Sequence, residues 1–172
     1  MTPGSSATVT INGKTYPVTV NADGTYSYQI PDKLPDGTYK PVINVTQNGA
    51  TTSTDGTPFT IDTTPPAAPL ADVAAASDTG SSSTDNNTGD NTPTFAGTGS
   101  PGDTITIKDG TTVLGTAVVD GSGNWTFTAP ASLTDGVHQI TTTVTDTAGN
   151  TSAPSPALAV TIDTTVPANP YV

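Results

Sequence analysis

Short runs in which apolar and polar residues alternate recur along the whole chain, and turns rich in Gly, Asp and Asn separate them. A period of two predicts strands with one buried face, and turn signals at intervals of about 8–12 residues are typical of β-sandwiches. No segment shows the periodicity of an amphipathic helix. We therefore predict an all-β chain of sandwiches with about seven strands each.

The alternation also places the individual strands. In the second half of the chain, the predicted strands are residues 93–98, 104–108, 112–120, 125–129, 137–145 and 157–162. The strand at 112–120 is expected to change sheets near Gly115, which completes a set of about seven. In the first half, the predicted strands are residues 7–11, 16–20, 26–30, 39–45 and 59–61. Trp125 and Tyr26 occupy corresponding positions, and both are predicted to be core rings.

A sequence repeat divides the chain into two parts. The sequence IDTT at residues 61–64 returns at 162–165, and LPDG at 34–37 returns as LTDG at 133–136. We predict two tandem domains, residues 1–66 and 67–172. A repeat of this size usually serves length and stiffness instead of chemistry.

The first domain is expected to be truncated by one strand, because no residue before Met1 can match the strand predicted at 93–98. The strand at 7–11, or whichever strand pairs with the missing one, is then expected to expose unpaired backbone groups. We expect this domain to be the less stable of the two. The first four residues lack the features of a signal peptide, which fits an internal piece of a longer chain.

Charge and composition narrow the possible partners. The chain has 4 Lys and Arg against 15 Asp and Glu, a net charge of -11. This charge repels phosphate backbones and anionic lipids, so it argues against nucleic acid and membrane surfaces and favours cations. The absence of cysteine excludes disulfides and thiolate metal sites. No apolar run reaches the roughly 20 residues that span a bilayer.

The inventory of catalytic groups is poor. His138 is the single histidine, and the Gly-x-Ser-x-Gly and phosphate-loop motifs are absent. Because His138 corresponds to Tyr39 in the first repeat, a packing or surface role is favoured over that of a general base. Trp125 has a minor alternative role as an exposed platform for a glycan. We predict that the chain is not an enzyme.

Carboxylates are the chemistry that the chain does offer. Asp62 follows the last strand of the first domain, and Asp146 lies in the loop after the strand at 137–145. Sandwich topology is expected to bring both to one end of the second domain. Two aspartates within about 6 Å repel each other, and a cation such as Ca²⁺ relieves the repulsion. The alternative is that both aspartates only close turns.

A second acidic region is residues 67–91, where aspartates stand among Ser, Thr, Gly and Asn. One interpretation is a disordered, low-complexity linker. The other is a loop ordered by a metal ion, with Asp78, Asp85 and Asp90 as candidate ligands. Residues 77–91 are called the acidic loop below.

Three segments together resemble a known family. They are residues 77–95, the AGN sequence at 148–150 and the IDTT sequence at 162–165. They are similar to the bacterial Ig-like repeats of giant type I-secreted adhesins and biofilm-associated proteins. The resemblance implies tandem Ig-like Greek-key sandwiches that form a surface stalk and bind calcium at their junctions.

The resemblance also implies roles for the five aspartates. Asp62 and Asp146 would bridge the junction, and the acidic-loop aspartates Asp78, Asp85 and Asp90 would order that loop around Ca²⁺. The division of ligands between sites stays open. The first domain departs from the pattern, because Gln47 occupies the position that corresponds to Asp146.

These observations lead to one functional hypothesis and two alternatives. The chain is predicted to be a calcium-stiffened stalk repeat of a secreted bacterial cell-surface adhesin that supports adhesion or biofilm formation. Its expected partners are adjacent repeats, with a host-cell or abiotic surface bound through other regions, and it is expected to be a monomer. One alternative is a module that itself binds a glycan or host protein, which a cluster of exposed aromatic rings would favour. The weakest alternative is an accessory module of a secreted hydrolase.

Overall fold

The computed structural model describes residues 6–21, 23 and 25–167, and all regular structure within them is β-strand. The strands are β1 (Ser6–Ile11), β2 (Lys14–Val20), β3 (Tyr26–Ser27), β4 (Gly37–Tyr39), β5 (Val42–Gln47), β6 (Ala50–Asp55), β7 (Phe59–Ile61), β8 (Ala71–Val73), β9 (Asn87–Thr88), β10 (Thr94–Thr98), β11 (Thr104–Asp109), β12 (Thr112–Val118), β13 (Asn124–Thr128), β14 (Gly136–Thr145) and β15 (Leu158–Ile162). The predicted all-β class is confirmed.

The chain forms two compact units, Met1–Thr63 and Thr64–Val172, which we call the first and second domains. Residues 64–66, assigned above to the first domain, group with the second.

The second domain is built from two sheets. One sheet has the strand order β13-β10-β8, and the other has the order β12-β11-β14-β15-β9. Strand β9 runs parallel to β15, and the other pairs are antiparallel. Alternate residues of both sheets fill the space between them, with Phe95 and Trp125 on the smaller sheet facing Ile105, Ile140 and Val160 on the larger. Burial of these side chains stabilises the domain.

The expected change of sheet near Gly115 is wrong. Strand β12 stays paired with β11 over its whole length, and the irregularity is a register shift between Ile107 and Lys108. Glycine is required at position 115 for a packing reason, because a Cβ there would lie 2.5 Å from a ring carbon of Phe127. The close approach of this ring, not a bend of the strand, explains the residue.

The first domain has a sheet of order β3-β2-β1-β5-β6 and a two-stranded sheet of β4 and β7. Its buried cluster consists of Ala7, Val9, Ile11, Tyr16 and Val18, with partly buried rings of Tyr39 and Phe59 packed against it. The predicted strand at 39–45 is interrupted, because Gly37–Tyr39 pairs with β7 and Val42–Gln47 pairs with β1. Strand β6 was not predicted.

The described part of the first domain contains no strand in the position of β10, which pairs with β13 in the second domain. Strand β3 pairs instead with β2. The expected unpaired edge at residues 7–11 is nevertheless wrong, because β1 is paired with β2 on one side and with β5 on the other. The hydrogen-bonding groups of β1 are therefore used within the sheet.

Candidate metal sites in the second domain

Strands β11 and β14 carry two aspartates to the same end of the second domain. Thr104 begins β11, Thr145 ends β14, and the two residues are paired in register. Asp103 and Asp146 are the next residues outward, so both stand at this end of the sheet. Strand pairing alone therefore brings the two carboxylates close together.

Asp146 is held by its own loop. Its Oδ1 accepts hydrogen bonds from the backbone N–H groups of Ala148 at 2.9 Å and Asn150 at 2.8 Å, and its Oδ2 accepts one from Asn150 Nδ2 at 2.9 Å. The bond from the Asn150 side chain is the largest cause that lowers the pKa of Asp146. Asp146 therefore closes a turn and is held as a carboxylate.

Asp103 has the opposite environment. It is 6% exposed, and among the described residues its carboxylate has no hydrogen-bond donor. Burial raises the pKa of Asp103, and the negative charge of Asp146 raises it further. The two carboxylates thus differ in pKa, with the charge of Asp146 opposing that of Asp103.

A cleft of about 320 Å³ opens beside Asp103. Residues 66–70 form one wall, and Ser100, Asp103, Ile105 and Val144 contribute to the rest. The segment leading into the second domain therefore lines the same cleft as Asp103. Sequence analysis missed Asp103, and its position just before a strand opposite Asp146 was the available signal.

Asp62 belongs to the first domain, where it directly follows β7. The neighbouring residue Thr63 donates its backbone N–H at 3.1 Å and its hydroxyl at 2.8 Å to Asp36 Oδ1. The predicted bridge from Asp62 to Asp146 joins the two domains and stays a prediction.

The acidic loop is folded onto the second domain. Strand β9 in this loop pairs with Thr161 and Ile162 of β15. The Thr88 hydroxyl donates to the carbonyl of Ser77 and accepts the backbone N–H groups of Thr79 at 3.2 Å and Asp90 at 3.0 Å. A single buried hydroxyl therefore connects the two ends of the loop.

The three predicted ligands in the acidic loop have different environments. Asp85 is exposed, and its Oδ1 accepts the backbone N–H of Asn87 at 3.2 Å. Asp90 Oδ1 accepts the N–H of Thr92 at 2.9 Å, so both residues close turns. Asp78 is 3% exposed, and its Oδ2 accepts the N–H of Asn86 at 3.1 Å.

Asp146 and the acidic loop lie at opposite ends of the second domain. Strand β14 pairs with the acidic-loop end of β15 at Gly136 and with Thr104 at its other end. Its 10 residues at about 3.3 Å each separate the two ends by roughly 30 Å. Nowhere in the described chain do three or more His, Cys, Asp or Glu side chains gather in a group suited to a metal ion.

His138 has a structural environment. Its Nδ1 lies 2.6 Å from Asp109 Oδ2, and its Nε2 lies 2.9 Å from the carbonyl oxygen of Thr134. Burial opposes the charge, but the hydrogen bonds to Thr134 and Asp109 outweigh it and raise the pKa of His138. Because both neighbours are acceptors, both ring nitrogens donate in the protonated form.

The rings at corresponding positions of the two domains differ. Trp125 is 2% exposed, which confirms it as a core ring and leaves no face for a glycan. Tyr26 is 44% exposed, so the prediction that it lies in the core is wrong. In the second domain β13 is joined to β10, whereas β3 is joined to β2, and Tyr26 is not enclosed between two sheets. Among the described residues, Tyr26 is the single aromatic ring with large exposure.

Paired sheets of antiparallel strands with a tryptophan between them place the second domain in the Ig-like class of sandwiches. A family model described as bacterial Ig-like domain matches residues 2–63 and again residues 65–164. Since these matches cover nearly the whole sequence, the chain belongs to the bacterial Ig-like domain family, and the predicted resemblance is confirmed.

Solved structures also match this chain. A chain described as a biofilm associated protein, BSP domain, is similar to this one, with 25% sequence identity and a TM-score of 0.42. The similarity covers 94% of this chain and 26% of that chain, so this chain spans about a quarter of its length. No curated protein sequence matches. The described residues include no helix that is long and apolar enough to cross a membrane.

Proposed function

We propose that the chain is a structural spacer repeat of a bacterial cell-surface adhesin, which calcium stiffens at the junction between its two domains. Two tandem family matches and the net charge of -11 support a repetitive, cation-binding stalk outside the cell. Its partners are adjacent repeats of the same protein, and it supports adhesion or biofilm formation as a monomer without catalysing a reaction. Contact with a host-cell or abiotic surface is made by other regions.

The observation that carries this proposal is the pair of Asp103 and Asp146. Asp103 is 6% exposed as a residue and has no hydrogen-bond donor in the described chain, and burial together with the charge of Asp146 raises its pKa, so a counter-charge would favour the ionised pair. The cleft beside it is lined by the segment that enters the domain. A cation at this position would neutralise both carboxylates and hold the entering segment.

The donor set fits calcium, which takes 6–8 oxygen ligands in flexible geometry. Asp103 would offer both carboxylate oxygens, Asp146 would offer the remaining lone pair of Oδ2, and Asp62 would reach the ion from the first domain. Calcium supplies positive charge that holds these oxygens together. We also propose that calcium orders the acidic loop.

The expected gain in folding stability is small. Extracellular calcium modules bind with dissociation constants of about 10⁻⁴–10⁻³ M. At about 1 mM calcium, each site then adds about 0.4–1.4 kcal/mol. The main effect is on the order of the segment between the domains.

A calcium titration of matched variants tests the junction site. Asp62→Asn, Asp103→Asn and Asp146→Asn each remove one charge, and each is expected to abolish the same binding event in calorimetry. Asp163→Asn is the control. Asp163 has the position of Asp62 in the repeated IDTT motif, but it lies at the end of β14 that is opposite to Asp146. Unchanged calcium stoichiometry in the Asp103 and Asp146 variants would overturn the proposal.

Small-angle scattering tests the mechanical role. The maximum dimension of the wild-type chain is expected to vary less among conformations in calcium than in chelator, with a sharper distance distribution. Asp146→Asn is expected to give the chelator profile in both conditions. Identical profiles of the wild type in calcium and chelator would contradict stiffening by calcium.

A further inference from the structure

The acidic loop contains two buried oxygen atoms that have no hydrogen-bond partner, Asp78 Oδ1 and Asn86 Oδ1. The two residues are joined, because the backbone N–H of Asn86 donates to the other carboxylate oxygen of Asp78 at 3.1 Å. Asn86 has φ of 57°, a left-handed backbone conformation. Both unsatisfied atoms are acceptors.

Leaving such atoms without a partner is costly. A buried polar oxygen that loses its hydrogen bond to water destabilises the fold, and a buried charge does so more strongly. Asp78 is 3% exposed and takes part in none of the ion pairs found among the described residues. The two oxygens therefore share one chemical requirement, which is a positive charge or a hydrogen-bond donor.

We propose that Asp78 and Asn86 are ligands of a calcium ion held inside the acidic loop. The proposal deepens the function given above and rests on it only in naming calcium as the cation. A carboxylate oxygen and an amide oxygen are both ligands that calcium prefers. An enclosed position favours calcium over magnesium, because magnesium gives up its water ligands reluctantly.

Backbone carbonyl groups of the acidic loop pack closely around Gly80. The carbonyl oxygen of Asn87 lies 2.5 Å, and that of Ser82 3.8 Å, from the position a Cβ would take on Gly80. The loop is therefore closely packed around carbonyl groups, and Gly80 permits their approach. Asp85 and Asp90 differ from Asp78, because neither of them has a buried oxygen without a hydrogen-bond partner.

The position of this site links the ion to the last strand of the domain. The carbonyl of Asn86 accepts the N–H of Thr161 at 2.8 Å, and the carbonyl of Thr88 accepts the N–H of Asp163 at 2.9 Å. An ion that fixes the Asp78–Asn86 pair therefore also fixes the backbone that receives the end of β15. Calcium in this loop acts on the exit of the second domain, whereas the junction site acts on its entrance.

Calorimetric titration of the full chain with calcium separates the sites. The wild type is expected to bind at two sites, Asp146→Asn is expected to keep the loop site, and Asp78→Asn is expected to keep only the junction site. Asp85→Asn is the matched control, because it removes one charge from the same loop and retains an oxygen for its turn. It is expected to bind as the wild type does.

Amide exchange gives a second measurement. In calcium, residues 77–90 are expected to exchange at least tenfold more slowly than in chelator in the wild type and Asp85→Asn. No such difference is expected in Asp78→Asn. Magnesium at the same concentration is expected to leave exchange of the loop unchanged.

Melting in chelator and a second variant separate loss of a calcium ligand from loss of the fold. Asp78→Asn is expected to melt no lower than the wild type in chelator, because its amide carries a donor in place of the charged oxygen. Asn86→Asp adds a second carboxylate and is expected to bind calcium severalfold more tightly, while melting lower in chelator. Asp tolerates the left-handed backbone at this position.

The outcomes are distinct. If Asp78→Asn keeps the calcium stoichiometry of the wild type, or Asn86→Asp binds no more tightly, the loop site is wrong. If Asp146→Asn has no effect while Asp78→Asn loses its site, the junction site is wrong and the loop site stands. If magnesium protects the loop as calcium does, the assignment to calcium is wrong.

Discussion

The two domains share a set of hydrogen bonds at the end of their last strand. They do not share the pair of carboxylates formed by Asp103 and Asp146. Asp36 accepts the N–H and hydroxyl of Thr63, and Asp135 accepts the same two groups of Thr164 at 3.1 and 2.8 Å. In both domains the residue that begins the repeated Thr-Thr pair is therefore fixed to the Asp-Gly turn. This contact explains why both motifs recur in the sequence.

A second contact recurs with a different side chain. The hydroxyl of Tyr39 donates to the carbonyl of Pro35 at 2.7 Å, and His138 Nε2 lies 2.9 Å from the carbonyl of Thr134. In each domain the side chain reaches the carbonyl four residues earlier. The repeat preserves a hydrogen bond, and it does not preserve the residue that makes it.

The acidic pair is not repeated. The sequence positions that correspond to Asp103 and Asp146 are Ser5 and Gln47. The two hydrogen-bonded contacts described above occur in both domains and therefore serve the fold. The carboxylate pair of Asp103 and Asp146 occurs in the second domain alone. This difference is the reason to assign the binding of calcium to the second domain.

The largest expected effect is on the rings at corresponding positions. Trp125→Ala removes a ring that is 2% exposed and is expected to destabilise the second domain by about 3–5 kcal/mol. Tyr26→Ala, at 44% exposure, is expected to destabilise the first domain by less than about 1 kcal/mol. Urea unfolding followed for each domain measures both. Equal losses would show that Tyr26 is as enclosed as Trp125.

This contrast shows what could be predicted from sequence. Alternation located most strands and the class of fold, because one-sided burial leaves a local pattern. The environment of Tyr26 could not be predicted from its match to Trp125, since burial depends on which strand lies beside β3. Short strands such as β8 and β9 were missed because they carry little alternation.

The candidate sites were predicted less completely. Asp78 and Asp146 were candidates from the sequence because they lie in recognisable acidic loops, and their role as ligands stays a prediction. Asp103 and Asn86 were missed, since their significance comes from burial and from absent hydrogen-bond partners, which short-range sequence does not specify. The roughly 30 Å between the two ends of β14 also follows only from strand register.

The next effect concerns the shared contact at the end of each domain. Thr63→Val and Thr164→Val are each expected to lower the melting temperature of their own domain, because a hydrogen bond to a carboxylate is lost. Thermal unfolding at neutral pH measures the two losses. A loss confined to one domain would contradict the equivalence of the two contacts.

The contact in the second domain also has a pH dependence. The hydrogen bonds from Thr164 lower the pKa of Asp135. Their contribution is therefore present above the unfolded aspartate value of about 3.9 and is lost as pH falls through the lower folded pKa. The difference between the wild type and Thr164→Val is expected to shrink below about pH 4.

The pH dependence of stability that Asp103 causes has the opposite sign. The folded pKa of Asp103 is raised, so in chelator the ionised carboxylate destabilises the second domain increasingly as pH rises from the unfolded value of about 3.9 to the folded pKa. Asp103→Asn is expected to raise the melting temperature at pH 7 in chelator, and this gain is expected to vanish below about pH 4. In calcium the variant is expected to lose the stabilisation by the ion. The same gain in calcium and in chelator would contradict a role for Asp103 as a ligand.

The smallest expected effect comes from exchanging His138 and Tyr39, which occupy corresponding positions in the two repeats. The raised pKa of His138 stabilises the second domain fully below the unfolded value of about 6.5, and this contribution is lost as pH rises through the folded pKa. His138→Tyr introduces the residue of the first domain, whose hydroxyl can donate to Thr134 at any pH below its own titration. The variant is expected to lose the pH dependence between about pH 6 and 8, at a cost of about 1 kcal/mol or less from the ion pair with Asp109. Thermal unfolding across this pH range, with Tyr39→His in the first domain as the reciprocal variant, measures the effect. A pH dependence that persists in His138→Tyr would assign it to another group and would end the equivalence between His138 and Tyr39.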